Sequence, residues 1–125
     1  MADNNTTAYR RGSDGVTVTQ GQTAVTQATS ITTAVTCNAI SGVITTVSQT
    51  VAAGAEAEFT VNNDKVAATD VIVACIKDHT SAGTFIVGVS DVSAGSFKLQ
   101  LTNLNAATAG NNVLVINFIV IKAEA

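Results

Sequence analysis

Residues 96–102 read SFKLQLT, a stretch in which polar and apolar residues alternate without a break. Phe97, Leu99 and Leu101 fall on one side, and this period of two predicts a β-strand with one buried face. The same alternation occurs over residues 56–61 and 84–90. We therefore predict that these stretches are strands and that their apolar sides contribute to one hydrophobic core.

The composition favours β-structure along the whole chain. Thr, Val and Ile make up 45 of the 125 residues, and side chains branched at Cβ suit a pleated strand better than a helix. Gly, Asn and Asp interrupt the apolar stretches at short intervals, and there is no proline. We expect one all-β domain over residues 16–125, a single antiparallel, jelly-roll-like β-sandwich of about eight strands.

The first 15 residues, MADNNTTAYRRGSDG, are polar and have no period, which predicts a flexible N-terminal arm. This arm contains Tyr9 and the only arginines of the chain, Arg10 and Arg11. Tyr and Arg are enriched at protein interfaces, so these three residues are candidate partner-binding residues. The alternative is a solvated terminus that frays and binds nothing.

The low charge of the chain bears on its partners. The formal net charge is −3, carried by 15 charged residues, and the basic stripe that binds phosphates is missing. We therefore expect neither nucleic acid nor an anionic membrane as a partner. The N-terminal residues contain no apolar run of the kind found in secretory signals, and the longest apolar run, residues 113–121, is too short to span a bilayer.

That run, VLVINFIVI, is apolar on both sides of the predicted last strand except for Asn117. An antiparallel strand with one wet face should instead alternate. Either another part of the chain, such as residues 16–28, covers the second side, or another subunit does. The candidate residues for a subunit interface are Ile116, Phe118, Ile119, Val120 and Ile121.

Residues that could support catalysis are few. His79 has Asp78 beside it and Ser81 two residues further on, but no oxyanion-hole or nucleophile-elbow motif accompanies them. Glu56 and Glu58 share one side of a strand, and we interpret them as solvent-facing charges. We expect no catalytic residue, no cofactor and no metal site, because one His and two distant Cys do not supply a zinc ligand set.

The two cysteines, Cys37 and Cys75, are far apart in the chain. Cysteine behaves as a small hydrophobic residue in protein cores, and disulfides persist only in oxidising compartments. Because no secretion signal is evident, we expect two buried, reduced thiols.

Several blocks resemble sequences of small virion structural proteins of tailed phages. They are Thr26–Asn38 (TQATSITTAVTCN), Ser41–Thr45, Phe59–Asn62, Val66–Val71, Ala82–Val87, Gly95–Phe97 and Ile116–Lys122. Proteins of this kind are capsid decoration proteins and fibre or spike modules. The resemblance implies a β-sandwich that is often trimeric, assembled in the host cytoplasm and located in the virion.

The resemblance leads us to expect a capsid decoration protein, a homotrimer that binds the major capsid protein or another virion protein on the outside of an assembled phage head. The alternative is a fibre or spike module that recognises a host surface ligand. In that case the loops over residues 78–83 and 103–111 would make the contact, although they contain no aromatic residue for stacking on a sugar.

Overall fold

The computed structural model describes residues 9–12, 15–18, 21–79 and 85–124, which form twelve β-strands and no helix. The prediction of an all-β chain is therefore confirmed. The strands are β1 (Tyr9–Gly12), β2 (Gly15–Val18), β3 (Thr23–Thr26), β4 (Val35–Thr36), β5 (Ser41–Thr45), β6 (Gln49–Val51), β7 (Glu56–Asn62), β8 (Val71–His79), β9 (Phe85–Ser93), β10 (Ser96–Asn103), β11 (Gly110–Asn112) and β12 (Leu114–Ile121).

Eight of these strands form two four-stranded sheets that pack in a sandwich-like arrangement. The β12 sheet has the order β3-β5-β12-β8, and the β10 sheet has the order β4-β7-β10-β9. Two small sheets accompany them, the β1–β2 hairpin and the pair of β6 with β11. Neither a jelly roll nor a total of eight strands is confirmed by this arrangement.

The sheets are not wholly antiparallel. β3 pairs with β5 in parallel, and β4 pairs with β7 in parallel. For β3 and β5 the reason lies in the path of the chain. Between them the chain crosses to the β10 sheet, forms β4 there, and crosses back to the β12 sheet in its original direction. The other pairs within the two large sheets are antiparallel.

The core lies between the inward faces of β10 and β12. Every second residue of each strand is buried, and Leu99, Leu101, Ile116 and Val120 have no exposed surface. Across the two layers, the rings of Phe97 and Phe118 meet edge to face with centroids 5.1 Å apart, a favoured aromatic geometry. The expected core residues thus do pack together, with Phe85 and Val87 half-buried at its margin.

The N-terminal residues occupy two positions in the fold. Residues 23–26 extend the β12 sheet as its edge strand β3, so they lie beside that sheet instead of covering its outer face. Residues 9–12 pair with residues 15–18, and the side chains of Tyr9 and Val18 pack against the core. The expected boundary between arm and domain, at residues 15 and 16, therefore falls inside a hairpin. Residues 1–8, 13 and 14 of the expected arm lie outside the described residues.

Buried amide side chains hold the loops to the sheets. Asn63 exchanges two hydrogen bonds with the backbone of Ala39, and the amide of Asn103 donates to the carbonyls of Val51 and Thr108. Gln27 donates to the carbonyls of residues 31 and 33. Each amide supplies the partners that buried backbone groups need, so loops without proline still have defined conformations.

Gly42 is required where β5 passes beneath an aromatic ring. It lies directly opposite Phe118 in the register of β5 and β12. A methyl group on its Cα would collide with the Phe118 ring and would come within 2.8 Å of Cys37 Sγ. Both neighbours are buried, so relief of this contact would require side chains of the core to shift.

We predict that Gly42→Ala destabilises the domain by about 1–3 kcal/mol, the usual cost of overpacking a core. The matched control is Gly88→Ala on β9, where a Cβ would meet no atom within 4 Å. Urea melts of the two variants measure the difference in free energy of unfolding. An equal effect in both variants would contradict the tight contact with Phe118.

Candidate functional site

Of the three residues that could support hydrolysis, the structure describes Asp78 and His79. His79 is exposed at the end of β8, where its backbone N–H donates to Asp78 Oδ1 at 2.8 Å. Ser81 lies outside the described residues. Within the described ranges, no hydrogen bond joins the His79 ring to a serine or threonine hydroxyl, so His79 activates no nucleophile there.

Glu56 and Glu58 lie on the exposed side of β7 and are bound by polar neighbours. Gln100 donates to Glu56, while Glu58 accepts from Ser90 and forms an ion pair with Lys98 at 3.3 Å. The hydrogen bond from Ser90 is the main cause that lowers the pKa of Glu58. A lowered pKa keeps this carboxylate charged, which is the opposite of what a general acid requires.

A metal centre has no ligand cluster in the part of the chain that the structure describes, where no three His, Cys, Asp or Glu residues converge. Among the same residues, no helix has the length and apolar character needed to cross a membrane.

The two cysteines are free thiols in different surroundings. Cys37 is buried in the core, and burial raises the pKa of its thiol. Cys75 is exposed on β8, so the prediction of two buried thiols is correct for Cys37 and wrong for Cys75. The reason is register: Cys75 pairs with Asn117 of β12 and so shares its outward side, whereas the neighbours Ala74 and Ile76 pack against the core.

The expected subunit-interface residues divide between the two sides of β12. Ile116, Phe118 and Val120 lie in the core of the single chain, with 0%, 3% and 0% exposure. They offer almost no surface to a second subunit, so for these three residues the interface assignment is corrected. Ile119 is half-buried and Ile121 is exposed, both on the outward side of the β12 sheet.

Around these two residues the β12 sheet presents a continuous apolar surface. Val71 lies opposite Ile121, and Val73 lies opposite Ile119. Val71, Val73 and Ile121 are 51%, 49% and 42% exposed. We call this surface the apolar face and define it by Val71, Val73, Cys75, Ile119 and Ile121.

The outward side of the β10 sheet has a different chemistry. Ser96, Lys98, Gln100 and Thr102 alternate with the buried residues of β10. They lie beside β7, whose Glu56 and Glu58 bind Gln100 and Lys98. The outer surface of the β10 sheet is therefore mainly polar, with Ile86 of β9 as an exposed aliphatic side chain, while that of the β12 sheet exposes Val71, Val73 and Ile121.

A shallow depression of about 210 Å³ lies on the apolar face. It is lined by Gln22, Ser41, Val73, Ala74, Cys75, Asn117, Phe118 and Ile119. Sites for small organic ligands usually measure about 300–1,000 Å³ and are deeper. The depression is therefore better suited to a protruding side chain of a partner than to an enclosed ligand.

One of the predicted partner-binding residues, Tyr9, lies near an ion pair between the buried Asp70 and the partly exposed Lys122. Arg10 is exposed on β1, and the side chain of Arg11 lies outside the described residues. Tyr9, on the same strand, is half-buried, and its ring packs against the core. Burial raises the pKa of its hydroxyl, and the negative charge of Asp70 acts in the same direction.

Asp70 is the centre of this ion pair, and its side chain is only 1% exposed. Its carboxylate accepts from Lys122 Nζ at 2.5 Å and from the backbone N–H of Ala67 at 2.8 Å and of Ala123 at 3.3 Å. Lys122 Nζ also donates to the carbonyl of Lys65. The pair fixes the end of β12 to the turn before β8, across 52 positions of sequence, and no motif in the sequence indicated it.

The hydrogen bonds determine the charge state of Asp70. Burial by itself would raise the pKa of this carboxyl, but the bonds from Lys122 and from the two backbone groups outweigh burial and lower it. A lowered pKa in the folded state stabilises the fold at any pH above the pKa of the unfolded state, about 3.9. This contribution is lost as the pH falls through the folded-state value.

We predict that Asp70→Asn lowers the free energy of unfolding at pH 7 by about 1.5–3 kcal/mol, the range for hydrogen bonds to a charged group. The difference from the unmodified chain should shrink below a pH of about 3.9, because Asp70 is then protonated in the unfolded chain and becomes so in the folded one. Asp91→Asn on exposed β9 is the control, and urea melts between pH 2 and 7 are the measurement. A pH-independent difference would contradict a charged Asp70.

The chain matches no family model, no curated protein and no solved structure. A conclusion about function therefore depends on its own surfaces and on the sequence resemblance.

Proposed function

We propose that the chain is a structural virion protein, a capsid decoration protein that binds the outside of an assembled phage head and stabilises it. Its partner is the major capsid protein or another virion protein, and its location is the capsid exterior after assembly in the host cytoplasm. The proposal includes a homotrimeric, jelly-roll-like module and no catalytic activity.

One observation carries the proposal. Among the described residues, the features that could contact a partner lie on open surfaces. The apolar face is broad, its depression is shallow, and Arg10 is exposed on a hairpin that packs against the core. The largest exposed patch of a monomer is often a functional contact. A protein that acts by covering and bridging other subunits needs surfaces of this kind, and the sequence blocks that resemble virion proteins support the same assignment.

The stabilisation would come from binding. A protein that binds only the assembled shell stabilises it by RT ln(1 + [L]/Kd), which is about 2.7 kcal/mol per site at a hundredfold excess over Kd. A trimer that contacts several capsid subunits would gain avidity from the same contacts. Many weak sites on one shell would thus add up to a resistant particle.

Substitutions in the β1–β2 hairpin can test the binding contacts without a change in the stability of the fold. Tyr9 packs against the core, so deletion of the whole arm would change stability as well as binding. Replacement of Arg10 and Arg11 by Ala leaves the Tyr9 ring in place. Both arginines lie on β1, and their loss removes two positive charges.

We predict that the Arg10→Ala, Arg11→Ala double variant folds normally but binds assembled heads at least about tenfold more weakly, a loss of about 1.4 kcal/mol. The control is Lys65→Ala with Lys77→Ala, which removes the same charge from other exposed positions. Co-sedimentation of each protein with purified heads measures the affinity. Equal binding by both double variants would exclude the arginines as the contact.

Copy number in the particle separates the proposal from a fibre or spike module. A decoration protein should co-sediment with the shell in hundreds of copies, because it covers repeated capsid sites. A protein recovered only with tails or fibres, in a few dozen copies, would overturn the decoration role.

A further inference from the structure

We propose that the β1–β2 hairpin is a detachable strap, which docks on the domain through Tyr9 and Val18 and opens while the two large sheets remain folded. The strap is a property of the isolated chain and does not depend on binding to a capsid. It goes beyond the proposed function because it gives two states to the segment that carries Arg10.

Little of the hairpin is attached to the domain. In the described part of the chain, β1 and β2 pair with each other and with no strand of the two large sheets. Of the hairpin side chains that the structure describes, Tyr9 and Val18 pack against the core, whereas Arg10 and Thr17 are exposed. Towards the other end of the hairpin, a Cβ on Gly15 would meet no atom within 4 Å. The described side chains therefore hold the hairpin at one end.

The Tyr9 hydroxyl makes this attachment weaker than the burial of its ring suggests. The hydroxyl oxygen is buried and has no hydrogen-bond partner. The Lys122 backbone and the Asp70 carboxylate are close enough to influence its pKa, but neither completes a hydrogen bond with it. An unpaired buried hydroxyl costs free energy because it has lost its bonds to water. Release of the strap returns the hydroxyl to water, so this cost offsets part of the gain from burying the ring.

A released hairpin would not keep its own structure. Tyr9 and Val18 are partners in the register of β1 and β2, so release takes both side chains from the core at once. A two-stranded hairpin by itself is marginally stable in water at best. The released state is therefore a flexible arm, which is the state that the polar composition of the first 15 residues predicts. Local openings of this kind need less free energy than unfolding of the whole domain.

Docking of the strap determines how Arg10 is presented. In the docked state Arg10 lies on a strand that is fixed to the domain, and in the released state it lies on a flexible arm. A partner that binds the docked state pays less ordering entropy and shifts the equilibrium towards docking. This consequence, unlike the strap itself, rests on the proposed function.

The sequence provides a probe for the strap in the unmodified chain. Tyr9 is the only tyrosine and there is no tryptophan, so the intrinsic fluorescence reports on this ring. Iodide quenching measures the exposure of Tyr9 along a urea titration, and far-ultraviolet circular dichroism measures the sheets in the same samples. We expect Tyr9 to become fully accessible at a lower urea midpoint than that at which the sheets unfold. Coincident midpoints would show that the hairpin unfolds with the domain, and a ring that is fully accessible without urea would show that it does not dock. Either result would overturn the strap.

A pair of variants tests the role of the hydroxyl. Tyr9→Phe keeps the ring and removes the unpaired group, and Thr17→Val removes a hydroxyl from the exposed side of the same hairpin. Amide hydrogen exchange of β1 and β2 should be faster than that of β10 in the unmodified chain. We expect Tyr9→Phe to slow the exchange of the hairpin amides about tenfold, the effect of removing an unpaired buried hydroxyl, and Thr17→Val to leave it unchanged.

Three results of the exchange experiment would overturn the strap. They are equal protection of the hairpin and β10 in the unmodified chain, no slowing in Tyr9→Phe, and equal slowing in Thr17→Val. The two proposals fail separately, because these measurements use no phage heads. A strap that opens in a chain that binds no heads would overturn only the decoration role, and a hairpin that never opens in a chain that binds heads would overturn only the strap.

Discussion

The packing of β10 against β12 is the interaction on which the rest of the structure depends. These two strands supply most of the fully buried large side chains, and the Phe97–Phe118 contact connects the layers at their centre. A chain with only five aromatic residues has few large groups with which to fill a core. The core must therefore be closely packed. At Gly42, which lies against the Phe118 ring, a single added methyl group would clash with that ring.

Two parts of the structure outside this core are stabilised by polar groups, and each in a different way. Connections that cross between sheets carry backbone groups into the interior, and the buried amides of Gln27, Asn63 and Asn103 pair with them. The Asp70–Lys122 pair holds the end of β12 to the turn before β8. A buried carboxylate is stable there only because every nearby hydrogen bond favours its charged form.

The outer surfaces of the two sheets differ in their chemistry. The polar side of the β10 sheet is satisfied by its own ion pair and hydrogen bonds. On the apolar face of the β12 sheet, the exposed valines and isoleucine contribute nothing to the core. The proposal that the chain binds a larger assembly draws on this difference, because covering aliphatic surface is favourable by about 25 cal/mol per Å².

The sequence by itself determined the fold class, the alternating core residues and the unusual two-sided character of residues 113–121, because a period of two is visible in any single strand. Only the tertiary structure decided which side of β12 faces the core, which exposes Cys75 and buries Ile116. It alone revealed the parallel pairings of β3 and β4 and the ion pair between Asp70 and Lys122. Such features depend on which strands become neighbours after the chain crosses between layers, and periodicity within one strand contains no record of its neighbours.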